Sequence, residues 1–145
     1  MFQENLKVTG AVAIKVFDKN GALKQEQNIK NLVVTSGKEF IAAAMVGTPT
    51  QMSHMAVGSS STAAANGDTA LGASLGRVAL SSSTSSGAVV TYVATFPAGT
   101  GTGAVVEAGV FNDPTAGTML CRTVFAVVNK GVDDAMSITW AITVS

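Results

Sequence analysis

The stretch Leu6-Lys7-Val8-Thr9-Gly10-Ala11-Val12-Ala13-Ile14-Lys15-Val16-Phe17, closed by Asp18-Lys19-Asn20-Gly21, decides the fold. Leu6, Val8, Gly10, Val12, Ile14 and Val16 recur at period two, with Lys7, Thr9 and Lys15 on the other side. That alternation belongs to a strand with one covered face. The Asn20-Gly21 pair tolerates the positive φ of a tight hairpin turn, so a second strand is expected around residues 22–29. The chain therefore opens with a β-hairpin over residues 6–29, which is free to act as an arm.

Beyond the hairpin, one helical signal stands out. Ser36 is placed to cap a first turn, Glu39 follows at capping-box spacing, and Phe40, Ile41, Ala44 and Met45 supply an apolar face. A helix over residues 37–46 is expected, ended by Gly47 and Pro49. Two to three turns are not stable alone, so this helix must cover apolar sheet surface. From Met52 onward the pattern is β, with strands expected near residues 53–57, 75–83, 88–96, 104–111, 118–127 and 135–144. Ser85-Ser86-Gly87, Gly99-Thr100-Gly101-Thr102-Gly103, Asn112-Asp113-Pro114 and Asn129-Lys130-Gly131 separate them. Too few helices exist to cover a parallel sheet. The reading is a mainly β chain: an antiparallel β-sandwich of jelly-roll type with about eight strands and one short α-helix, a single domain over residues 1–145.

Composition excludes several functions. Of 145 residues 47% are hydrophobic and 12% charged, against about 25% charged in an average domain. Disorder is excluded for the chain as a whole. Nine Lys+Arg balance nine Asp+Glu, so no basic stripe faces nucleic acid. No window carries the roughly 18 apolar residues of a membrane helix, and Met1-Phe2-Gln3-Glu4-Asn5 lacks the pattern of a secretory leader, so synthesis in a cytosol is expected. Residues 78–106 contain no charge at all, which suggests that part of this span faces another chain. The Ser-, Ala- and Thr-rich connector of residues 58–72 carries only Asp68, with Arg77 its nearest counter-charge in sequence, and is expected to be mobile in isolation.

No catalytic constellation emerges. His54 is the single histidine, without carboxylates at useful spacing, and sits in the strand-like run Met52-Ser53-His54-Met55-Ala56-Val57. Cys121 is the single cysteine, which excludes intramolecular disulfides and multi-cysteine metal sites. Its apolar neighbours predict a buried, inert thiol. The glycines at 99, 101 and 103 lack the Lys-Ser/Thr of a phosphate loop and read as a flexible rim loop. Phe96, Phe111, Phe125 and Trp140 fall singly on different strands, as core anchors do. Glu107 stands in an apolar strand and, if buried, needs Arg122 or Arg77 as partner. The chain reads as a non-enzyme with no metal and no cofactor. Arg77, Arg122, Glu107, His54 and Tyr92 are its candidate interface residues.

Asn31-Leu32-Val33-Val34 through Lys38-Glu39-Phe40-Ile41, Met52 to Gly58, Glu107-Ala108-Gly109-Val110-Phe111 and Leu120-Cys121-Arg122 resemble small β-rich structural proteins of tailed bacteriophages. The class most similar is the capsid cement or decoration proteins, and related segments occur in tail-fibre-associated proteins. The resemblance spans roughly residues 31–145. It implies a jelly-roll or related sandwich on the outer capsid surface of a virion, assembled as a homodimer or homotrimer, that clamps neighbouring copies of the major capsid protein. The alternative it implies is a tail or fibre-associated receptor-binding module.

Overall fold

The computed structural model describes residues 6–145. The residues behind the expectation of no leader, 1–5, lie outside the described residues, as does the start of the chain leading into the hairpin. In chain order the elements are β1 (Val8–Phe17), β2 (Leu23–Val33), α1 (Thr35–Ala44), β3 (His54–Gly58), β4 (Ser74–Ala79), β5 (Ser82–Ser86), β6 (Val89–Phe96), β7 (Gly103–Phe111), β8 (Met119–Lys130) and β9 (Ala135–Val144). Every strand pairing is antiparallel, and the strands form one sheet in the order β4-β3-β7-β8-β2-β1-β9-β6-β5.

The period-two reading of β1 holds. Val12, Ile14 and Val16 are buried while Thr9, Ala11 and Lys15 are exposed. Gly10 continues the inward set, and the amide of its cross-strand partner Asn31 fills the place where a Cβ would stand. At the turn Gly21 takes a φ of 81°, and the Asp18 carboxylate accepts the N–H groups of Asn20 and Ala22. The hairpin does not stand off the body as an arm: β1 lies mid-sheet, paired with β9 from Val8 to Phe17 and with β2 on its other side.

The strand expected over residues 75–83 is in fact two strands, and this is the main departure from the sequence reading. Leu80 donates its N–H to Ser53 O and Ser81 donates to Val93 O, so the chain turns a corner between β4 and β5. Those two strands are the opposite edges of the sheet. A flat nine-stranded sheet is about 38 Å wide at ~4.8 Å per strand, whereas residues 79 to 82 span at most about 11 Å. The sheet therefore curls into a half-barrel until its edges approach each other. The concave side holds one continuous core, with Val12, Ile14, Phe96, Ile138 and Trp140 from one half meeting Met55, Val57, Val110, Leu120 and Phe125 from the other.

The helix starts and ends two residues earlier than its sequence signals suggest. Its N-cap is Val34, without a side-chain cap, and the Thr35 N–H is satisfied by the Asn66 carbonyl. Ser36 is already inside the helix and donates its hydroxyl to Met119 O at 2.7 Å, which ties α1 to β8. Phe40 and Ile41 pack on the core, but Met45 is 83% exposed and belongs to no apolar face. Gly37 is the contact point, because a Cβ there would run into the Leu120 backbone. Gly37→Ala, which gains about 1 kcal/mol of helix propensity, is expected instead to lower the melting temperature by forcing α1 off β8. A rise in melting temperature would show that the helix is not held this closely.

Candidate functional site

Charged side chains define one half of the molecule. Glu107 on β7 is fully buried, and Arg122 on β8 is 2% exposed. Cross-strand register sets Arg122 opposite Gly109, two residues from Glu107, and Arg122 Nε donates to Glu107 Oε1 at 3.4 Å. The Glu107 carboxylate accepts three backbone N–H groups as well, from Ser60 at 2.6 Å, Gly72 at 2.7 Å and Ala73 at 3.1 Å. The remaining guanidinium nitrogens of Arg122 donate to Asp68 Oδ2 and Thr62 O, both at 3.0 Å.

Every one of those partners beyond the pair itself lies between β3 and β4. The connector expected to be mobile is thus held at both ends by Glu107 and in the middle by Arg122, and the counter-charge of Asp68 is Arg122, not Arg77. Leu71 lies over Gly109 and packs on a second apolar cluster of Val34, Ala56, Phe111 and Met119. Ala56 faces this cluster while its neighbours Met55 and Val57 face the concave core, so the connector covers the convex side of β3, β7 and β8.

Arg77 is consumed on the same side. Its guanidinium lies 3.8 Å from the centre of the Phe111 ring and donates to the carbonyls of Asp113 and Ala116 at 3.0 and 2.9 Å. Burial lowers its pKa, against the opposing effect of Asp113. The Thr115 and Ala116 N–H groups in turn hold the Asp113 carboxyl below its ordinary range. His54 is half-buried opposite Phe111, its Nδ1 2.7 Å from Ser53 Oγ. Tyr92 faces the concave core at 8% exposure. Burial, and secondarily the nearby Cys121, push its hydroxyl up to about 12.

All five candidate interface residues engage groups of this chain: Glu107, Arg122 and Tyr92 are buried, and Arg77 and His54 are half-buried. Glu107, Arg122, Arg77 and His54 gather on the half covered by the chain's own loops, and Tyr92 points inward. Cys121 is fully buried, and desolvation raises its pKa, as an inert thiol requires. In the glycine loop Gly99, Gly101 and Gly103 take positive φ, and buried Gly101 lies against Val57 and Phe96. Among the described residues no group of three or more His, Cys, Asp or Glu could hold a metal ion, and no helix is long and apolar enough to cross a membrane.

The other half of the convex surface carries no such cover. Register places Val89, Thr91, Val93 and Thr95 of β6 beside Thr143, Ala141, Thr139 and Ser137 of β9, between inward residues such as Ala94, Phe96, Ile138 and Trp140. β5 extends this grid with Ser82, Thr84 and Ser86, and β1 with Thr9, Ala11 and Ala13. Charge returns on the β1 and β2 side, at Lys7, Lys15, Glu26 and Lys30 among others. Reading for chemistry-bearing side chains could not find this face, since it has none; its signal was the uncharged span of residues 78–106. Comparison with protein families, characterised proteins and solved structures finds no match to the chain.

Two outcomes follow from this geometry. Glu107→Gln leaves the connector N–H groups without a carboxylate and Arg122 without its buried partner, at an expected cost of about 3–5 kcal/mol. Hydrogen exchange should report it as lost protection at the Ser60, Gly72 and Ala73 amides; unchanged protection there would refute the connector's attachment. Because the folded-state pKa of Tyr92 lies above its ordinary 10.0, the contribution of its protonated form is full below pH 10 and lost as pH rises toward about 12. Tyr92→Phe should then retain more of its neutral-pH stability than wild type across that interval in denaturant titrations.

Proposed function

We propose that this chain is a virion structural protein of a tailed bacteriophage that binds the outer capsid and cements neighbouring major capsid subunits. The observation that carries the reading is the uncovered convex face of β5, β6, β9 and β1, with no charged side chain across its β5, β6 and β9 strands. Such a face meets a partner without desolvating ions, and its small Ser, Thr, Ala and Val side chains leave the two backbones free to come close. The covered half supplies stiffness, since the connector is tied down by buried charge-assisted hydrogen bonds. The role is mechanical rather than catalytic. A modest contact suffices when a lattice repeats it, because coupled sites multiply weak affinities. The same resemblance supports reading the curled sheet as a jelly-roll-type wrap, and the sequence adjacency of its two edge strands agrees with that.

The test is a titration of purified capsids from the parent virion, followed by cryo-electron microscopy. Saturation at symmetry-related positions, with density for this chain bridging major capsid subunits through the β6–β9 face, is the expected result. Thr139→Lys, an exposed substitution at the centre of that face, should weaken capsid binding by about tenfold, the effect of burying an unpaired charge, with the melting temperature unchanged. Density confined to the tail would replace cementing with a receptor-binding role there.

A further inference from the structure

The two edges of the sheet are treated differently by the rest of the chain. At the β4 edge Leu75, Gly76, Arg77 and Val78 are all half-buried, Gly76 is packed under Thr100 and Gly101, and Arg77 is clamped to the Asp113–Ala116 loop. At the other edge all five residues of β5, Ser82-Ser83-Thr84-Ser85-Ser86, are exposed, those on the concave side included. β5 contributes nothing to the core. Its register with β6, from Ser82↔Val93 to Ser86↔Val89, satisfies one side of its backbone and leaves the N–H and C=O groups of the other side to solvent.

Edge strands are ordinarily protected by a lysine, a proline, a bulge or a covering loop. Among the described residues β5 has none of these: its ladder is regular, it holds no Pro, and the nearest charge in sequence is Arg77. The lack of charge also selects the partner. A two-fold antiparallel pairing of identical strands sets the residue on the axis opposite its own symmetry mate and pairs the others reciprocally across it, so a charge at the axis would meet a like charge. An uncharged edge can meet itself without that penalty.

We propose that β5 is the pairing edge of a homodimer in which two β5 strands run antiparallel about a two-fold axis at Thr84, joining two nine-stranded sheets into one. Ser82 then lies opposite Ser86 of the second copy, and Thr84 opposite Thr84. Pairing of one short strand buries less than the roughly 1,200–2,000 Å² of a stable complex, so the dimer is weak and concentration-dependent in free solution. It also lays the uncharged convex faces of the two copies side by side.

The buried Cys121 allows a clean test. Directly opposed residues of antiparallel strands stand about 4.5–5.5 Å apart at Cα, within disulfide range. Thr84→Cys is therefore expected to give a covalent dimer under mild oxidation, far faster than Asn20→Cys, an exposed turn position of the same protein. In sedimentation velocity, Thr84→Lys and Thr84→Glu should each weaken self-association severalfold, and their equimolar mixture should restore it. A wild-type chain that stays monomeric to about 1 mM, or Thr84→Cys crosslinking no faster than Asn20→Cys, would overturn the proposal. Capsid binding plays no part in these measurements, so this inference and the cementing role fail separately.

Discussion

A two-residue link governs the architecture. Leu80 and Ser81 join the strand at one edge of the sheet to the strand at the other, and a sheet whose edges are tied at this distance cannot lie flat. Curling gives it a concave side, and nearly all large apolar side chains, with Trp140, Phe96 and Met55 among them, are gathered there. The hairpin of β1 and β2 is the pivot of the curl. β2 pairs with β1 along most of its length and with β8 only through Leu32 and Val33, so the two halves diverge from it. Where backbone pairing stops, side chains bridge the gap: Gln27 donates to Ala126 O, Gln25 accepts from Asn129 N, and Lys24 pairs with Asp134.

The curl leaves two convex surfaces, and on only one of them is an ion pair, Glu107 with Arg122, buried. Glu107 and Arg122 carry a desolvation cost that three backbone N–H groups, a carbonyl and a second carboxylate offset. The result is a connector without secondary structure of its own that nevertheless packs as a layer over β3, β7 and β8. The helix depends on it too, since Asn66 of that connector closes the first turn of α1. The opposite convex surface, of β5, β6, β9 and β1, has no such layer, and its β5, β6 and β9 strands have no ions to hold one. The covered half holds Glu107, Arg122, Asp68 and Arg77, and the bare half presents the uncharged outer faces of β5, β6 and β9.

Much of the local structure was legible. Alternation located β1, β6 and β9 to within a residue or two, and Asn20-Gly21 marked its turn. The apolar setting of Cys121 marked a buried thiol, and the need of a buried Glu107 for an arginine named Arg122 among its partners. The errors share a cause. Residues 75–83 read as one strand because both pieces prefer extended backbone, and the corner at Leu80 is set by acceptors on Ser53 and Val93, far away in sequence. Ser36 read as a cap because the pattern is local, while its hydroxyl is claimed by Met119 across the sheet. The backbone partners of Arg122 and Arg77 within the chain, the carbonyls of Thr62, Asp113 and Ala116, are likewise ones that no composition reveals.

By itself the sequence determined which segments are extended, which side of each faces inward and that charge is missing from residues 78–106. Those properties follow from backbone preference and the two-residue repeat of a strand, and both act over a few residues. Only the tertiary structure decided which strands are neighbours, which edge is left bare and which convex face the connector covers. Those are matters of pairing between distant segments, and a backbone N–H or C=O carries no mark in the sequence of the partner it will find.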